Sequence, residues 1–252
     1  MRQKAVVCIP TFNRPEFLAL ALEKIARASD VPEDIRIFLD TCSDARLDEV
    51  EYVRDTYMPT ADIFRARLHV IAPSGTWNIL NSLKQGFETG AEFVFFIEED
   101  VMIKPEFFNE HLRMQSEGDY FVTCGRKLRN RDDSYYSNPG TCYRSDKLSL
   151  VVPHINMKYF ADQAGYLERQ FPHMDDAGIM DDGLIRRVMQ SIGARAKCAV
   201  PAIAAHQGFH YFAKFAQYQT VGSIAERIEQ LRVMLAKVDP TDRYTRDFET
   251  LL

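Results

Sequence analysis

The 252-residue sequence predicts an α/β protein, with a mostly parallel sheet flanked by helices and a less regular second half. Two observations predict it. Apolar runs of strand length alternate along the first half with segments whose apolar residues recur at helical spacing. Those runs carry almost no polar interruption, as strands covered on both faces do. Alternation of this kind builds right-handed βαβ units, and such sheets bind ligands at the carboxyl ends of their strands. Function is therefore expected in the residues that follow each strand.

Ala5 to Ile9 is the first strand, with Pro10 expected to stop it. Asn13 suits a helix cap and Pro15 the first turn, where a missing N–H costs nothing. Phe17, Leu18, Ala21, Leu22 and Ile25 then share one helical face. Ile35 to Leu39 is the second strand, and Leu47, Val50, Val53 and Tyr57 mark the second helix. Leu68 to Ile71 reads as the third strand, followed by a helix through Leu80, Leu83 and Phe87 that ends near Gly90. Phe93 to Ile97 is the fourth. Beyond it, Tyr120 to Cys124 looks like a strand, Leu184, Val188 and Ile192 lie on a short helix, and Ala199 to Ala204 is the last strand-like run. Val221 to Val238 is amphipathic, with Ile224, Ile228, Leu231 and Leu235 on one face. That stripe is expected to pack against the domain, with a homodimer contact as its second use.

Hydrophobic residues make up 46% and charged residues 27%, the composition of an ordinary soluble globular chain. The formal net charge of −5 argues against a protein that coats nucleic acid or anionic membrane by bulk charge. No apolar run reaches the ~18 residues of a membrane span, and the N-terminus enters a strand without a signal-peptide pattern. Five scattered cysteines with no CxxC spacing fit a reduced, cytoplasmic chain.

The sharpest feature is Glu98-Glu99-Asp100, three consecutive carboxylates ending an apolar strand. Their mutual repulsion is costly, and burial makes it worse unless a cation is present. Hard divalent cations take oxygen ligands, and Mg²⁺ or Mn²⁺ is commonly shared with substrate phosphates. A solvated acidic turn is the plainer reading of such a triplet; its place after a buried strand favours the cation.

Val6-Val7-Cys8-Ile9-Pro10-Thr11-Phe12-Asn13-Arg14 resembles the opening strand and loop of family 2 glycosyltransferases. Ile37 to Asp44 resembles their second strand with its acidic tip, and Phe95 to Val101 their DxD segment. Pro105-Glu106-Phe107-Phe108 extends that segment in a way similar to N-acetylglucosaminyltransferase I. Met180 to Arg187 resembles the family's E-D-x-x-L-x-x-R segment at a helix N-terminus. The resemblance implies the GT-A, Rossmann-like, fold over residues 1–220, with a nucleotide-sugar-binding half at 1–115 and an acceptor-side half at 116–220; residues 221–252 form a C-terminal helix and tail.

It also implies roles. Asp100 matches the metal ligand of a Mn²⁺- or Mg²⁺-dependent hexosyl- or pentosyltransferase using a nucleotide diphosphate donor, of which UDP-sugar is the first choice. Asp40 matches the acid that accepts from the uracil N3–H. Pro10, Thr11 and Arg14 match the loop lining the nucleoside, and Trp77 and Asn78 lie on a helix that often faces the donor, with a place in the core as the plainer use of Trp77. Glu99 is expected at the ribose or a metal-bound water, and Glu98 is expected to turn back toward the fold. Glu98-Glu99 stands where the family more often has aspartates.

Asp181 or Asp182 matches the general base of inverting members; the Leu184 spacing favours the first and the paired acids the second. Capping a helix and favouring its dipole is their alternative use. Asp175 and Asp176 are next in line. His206 matches a further metal ligand, against the plainer reading of a core histidine, and His210 follows it. The basic loop from Arg126 to Arg131 suits a phosphorylated acceptor, the donor diphosphate, or plain solvated surface. The sequence leaves a saccharide, a protein and a hydroxylated nucleic-acid base open as acceptor. Two rivals stand beside this reading: a nucleotidyltransferase, disfavoured because the Pro10–Pro15 loop has no glycine, and a non-catalytic nucleotide-sugar-binding protein.

Overall fold

The computed structural model describes residues 4–11, 14–40, 44–65, 74–127, 136, 140–155, 181–207 and 222–236. The expected sites at Asp175, Asp176 and His210, most of the basic loop, and the run 68–71 lie outside the described residues, as do the side chains of Trp77 and Asp181.

The strands are β1 (Ala5–Thr11), β2 (Asp34–Leu39), β3 (Asp62–Arg65), β4 (Phe93–Phe96), β5 (Val101–Ile103), β6 (Val122–Cys124), β7 (Thr141–Arg144), β8 (Ala196–Cys198) and β9 (Ala204–His206). The α-helices are α1 (Pro15–Ala26), α2 (Asp44–Tyr57), α3 (Ser74–Glu88), α4 (Phe107–Ser116), α5 (Ser145–Leu148), α6 (Asp181–Ser191) and α7 (Ile224–Leu235). Among the described residues one sheet has the order β3-β2-β1-β4-β7-β6-β8, and β5 and β9 form a separate ribbon. The β3-β2-β1-β4 half is parallel; β7 runs antiparallel to β4 and to β6, which pairs parallel with β8.

The central strands alternate between two apolar layers, as the period of two requires. Val7 and Ile9 of β1, Ile35, Ile37 and Leu39 of β2, and Phe93 and Phe95 of β4 face α1, α2, α4 and α7. Val6 and Cys8, Phe38, and Val94 and Phe96 face the layer containing α3 and α6. Gly86 lets α3 close on that face, because a Cβ there would sit 2.7 Å from both Cys8 Sγ and a Val94 methyl.

Two expectations need correction. Pro10 does not stop β1, which pairs with β2 through Thr11. In β1 the even residues aim their backbone groups at β4, as the Ile97 N–H to Cys8 carbonyl bond shows. β4's ladder with β1 ends at Phe96 opposite Cys8, so the donor missing from Pro10 would have met no strand. Among the described residues the strand beyond β2 is 62–65, which the apolar pattern does not mark because a largely exposed edge strand needs no continuous apolar run. Ala199 to Ala204 is not a strand: the cis Val200–Pro201 bond lies in the connection between β8 and β9.

α1 begins at Pro15, with Arg14 at the cap position and no side-chain cap. The stripe on α7 is satisfied within the chain, since Ile228, Leu231 and Leu235 are buried in the layer containing α1. That part of the apolar face is therefore covered within the chain. Beside it Arg227 reaches Glu16 Oε1 at 2.6 Å and Glu49 Oε1 at 2.5 Å. Glu16 is fully buried, so this ion pair ties α7 to the first turn of α1 in a low-dielectric setting. Removing one partner of such a pair leaves an uncompensated charge. Arg227→Met is expected to lower stability by about 3–5 kcal/mol in urea denaturation. The double variant Arg227→Met/Glu16→Gln should recover part of that loss.

Candidate functional site

The parallel strands end together, and β4 carries the acids. The Ile97 N–H bond to Cys8 holds the chain in the sheet up to Glu98. A turn closed by the Val101 N–H to Glu98 carbonyl bond, 2.9 Å, then redirects it into β5. β5 pairs antiparallel with β9, placing Val101 opposite His206, and the Gln207 N–H donates to the Asp100 carbonyl at 2.8 Å. The ribbon thus delivers a histidine from the far half of the chain to the acidic strand end.

His206 Nε2 lies 3.1 Å from Glu98 Oε2 and 3.3 Å from Asp100 Oδ1. One ligand atom from each of Glu98, Asp100 and His206 falls within 4.8 Å of the other two. Two carboxylate oxygens and an imidazole nitrogen converging so closely fit a divalent cation. Glu98 therefore joins the cluster, contrary to the expectation that it turns back into the fold. Glu99 turns inward instead, at 1% exposure. The turn after β4, and not strand alternation, aims these side chains.

Arg14 pairs with the last two acids of the triplet. Its Nε donates to Glu99 Oε1 at 2.5 Å and its Nη1 to Asp100 Oδ2 at 2.7 Å. Burial works against the guanidinium charge, but Glu99 and Asp100 outweigh it and raise the Arg14 pKa. His206 follows the same logic. Burial pulls the imidazole pKa down, and Asp100 and Glu98 more than restore it, so the net shift is upward.

Asp182, in the first turn of α6, faces this cluster. Desolvation raises its pKa, Arg186 opposes, Glu98 raises it further, and Tyr136 and His206 oppose. The net shift is upward, and Asp182 Oδ1 is buried without a hydrogen-bond partner among the described residues. Tyr136 is a site neighbour that the sequence reading missed. Its hydroxyl is 3.0 Å from that of Tyr143, and Arg186 stands over its ring at 5.9 Å. It lies outside any helix or strand, so no periodicity marks it. Gln207 was missed too: it is buried and neither of its side-chain polar atoms has a hydrogen-bond partner among the described residues.

At the ends of β1 and β2, Thr11 and Asp40 are buried and adjacent, the Asp40 N–H donating to the Thr11 carbonyl at 3.0 Å. Asn78 Nδ2 bridges the Phe38 and Thr11 carbonyls at 2.7 and 3.3 Å. Asn78 is thus first a clamp between two strand ends. Its Oδ1 and the Thr11 hydroxyl are buried without hydrogen-bond partners among the described residues.

Residues 6–180 match the model of glycosyl transferase family 2. No curated protein sequence matches the chain. Among solved structures, residues 1–349 of S. aureus TarS in complex with UDP-GlcNAc are similar, with a TM-score of 0.52 and 17% identity over 94% of this chain and 68% of that one. LgtC in complex with donor and acceptor sugar analogs is similar with a TM-score of 0.51 and 14% identity, over 89% of this chain and 82% of that one. At these identities the likeness is one of fold, and it is the GT-A fold expected from the sequence. None of the helices described is long and apolar enough to cross a membrane.

The His206 imidazole must be neutral to ligate a cation. Its pKa is raised, so affinity for Mn²⁺ should be full above that raised value and fall as pH drops through it, by up to about tenfold per pH unit. Calorimetric titration of Mn²⁺ from about pH 8 to about pH 6 reads this directly. A His206→Gln variant should bind more weakly and lose most of the slope; an unchanged slope would take His206 out of the cluster.

Proposed function

Because the chain belongs to glycosyl transferase family 2, we propose that it moves a sugar from a UDP-linked donor to an acceptor hydroxyl, using a divalent cation and Asp182 as general base. One observation carries the proposal. The Glu98, Asp100 and His206 cluster stands beside an acid whose pKa is raised, at the carboxyl end of the parallel strands. TarS was solved with UDP-GlcNAc and LgtC with donor and acceptor sugar analogs, which favours a nucleotide-sugar donor here as well.

In this reading Glu98, Asp100 and His206 hold Mn²⁺ or Mg²⁺. The bound ion supplies charge neutralisation for the diphosphate leaving group. Asp40 accepts the uracil N3–H, with the Thr11 hydroxyl and Asn78 Oδ1 beside it for the remaining base or ribose groups. Pro10 forms part of the wall under the nucleoside. Asp182 takes the proton of the acceptor hydroxyl as that oxygen attacks. Its raised pKa brings it nearer the strength a base needs at neutral pH. One in-line displacement with inversion follows if the base stands across the sugar from the diphosphate. In this reading residues 1–115 are the nucleotide-sugar-binding half, 116–220 the acceptor-side half, and 221–252 the C-terminal amphipathic helix and tail.

A thermal-shift screen of nucleotide sugars with and without Mn²⁺ finds the donor; ligand at ~100 times its Kd stabilises by about 2.7 kcal/mol. Asp182→Asn should stay folded and bind UDP and Mn²⁺, yet transfer at least ~100 times more slowly. A role in the first turn alone predicts a stability loss of about 0.5–2 kcal/mol with activity kept. Wild-type protein that binds donor and never turns it over would instead be a nucleotide-sugar-binding protein.

A further inference from the structure

We propose that Arg14 is the positioning residue of the cation cluster. Its guanidinium fixes Asp100 so that Oδ1 faces the cation, and holds Glu99 out of the ligand set. The proposal rests on the cation reading above and adds the question of which oxygens are offered.

The two oxygens of Asp100 are divided between partners. Oδ2 accepts from Arg14 Nη1 at 2.7 Å, while Oδ1 lies 3.3 Å from His206 Nε2, inside the cluster. A carboxylate held by one oxygen cannot rotate freely, so it meets a cation in one pose. The neighbouring Glu99 accepts from Arg14 Nε at 2.5 Å. Three consecutive acids could chelate a cation in several combinations; one planar fork spanning the last two leaves Glu98, Asp100 and His206.

Arg14 is itself held at its base. Its carbonyl accepts from the Phe17 and Leu18 N–H groups, both at 3.1 Å, and its guanidinium lies 5.7 Å from the Phe17 ring centre. Pro15 restricts the next φ, and Glu16 is pinned by Arg227. Glu99 and Asp100 are each 1% exposed, so water does not compete strongly for these bonds.

Lysine tests this cleanly, because it keeps the charge but cannot span two carboxylates with one rigid fork. Outer partners of metal ligands commonly matter by 10–100-fold in affinity. Arg14→Lys should therefore bind Mn²⁺ alone about 10–100 times more weakly, with its affinity for UDP in the absence of metal unchanged. Glu99→Gln removes the other anchor without touching a ligand, and should weaken Mn²⁺ less. The double variant should lose little beyond Arg14→Lys, since both changes break one unit. Calorimetry and the paramagnetic resonance of free Mn²⁺ give the affinities, with melting temperatures as the control. If Arg14→Lys does not fold, Glu99→Gln carries the test, and wild-type affinity in that variant overturns the proposal. An Arg14→Lys protein with wild-type Mn²⁺ affinity and weakened metal-free UDP binding makes Arg14 a donor contact and also overturns it. Wild-type protein that binds no Mn²⁺, with UDP or without, overturns the cation reading and this proposal together.

Discussion

Carboxylates repel, and β4 delivers three of them in a row to the end of a strand buried on both faces. Two unit charges about 4 Å apart interact by about 1 kcal/mol in water and about 4 kcal/mol at the effective dielectric of a protein surface. Asp182 adds a fourth from α6. No local rearrangement of a short turn can relieve such a concentration, so the compensating groups arrive from elsewhere in the fold. Arg14 comes from the cap position of α1, His206 from the β5–β9 ribbon, and Arg186 from the same helix as Asp182. Each lies far from the triplet in sequence, and the sheet order brings each of them close.

The compensation reaches beyond the strand ends. Arg14 and Glu16 flank Pro15, one facing the acids of β4 and the other facing Arg227 of α7. The start of α1 is thereby held from both sides by charge pairs with little exposure. Buried pairs of this kind contribute little net stability over apolar packing but are costly to break singly. Their effect here is to fix where α1 begins, and the backbone at Arg14 with it.

How much of this was legible depended on whether the signal was local. Ala5 to Ile9, Ile35 to Leu39 and Phe93 to Ile97 read as strands because parallel strands covered on both faces must be apolar throughout. The α7 stripe read as a buried helix face for the matching reason, and the strand-end rule pointed to Asp40 and Asp100. The edge strand at 62–65 was missed because an exposed edge needs no apolar run. The assignment of Glu98 and Glu99 was reversed because a turn, with no periodicity, decides which way each points. The ion pairs of Arg14 left no trace in the sequence, because Glu99 and Asp100 lie in the turn after a strand whose adjacency to β1 is a property of topology. Tyr136 and Gln207 leave no local pattern at all.

The sheet also carries sulfur. Cys8 of β1, Cys124 of β6, Cys142 of β7 and Cys198 of β8 are all buried with free thiols. Burial pushes the thiols of Cys8 and Cys142 well above their usual range, so the nucleophilic thiolate is scarcely formed while the sheet is closed. Reactivity at these strands is thus a property of the opened chain alone. At these four cysteines, damage in an oxidising or alkylating medium falls on copies whose sheet has come apart. The sheet in effect marks its own unfolded molecules, and each of these four strands bears a separate tag by which its opening can be timed.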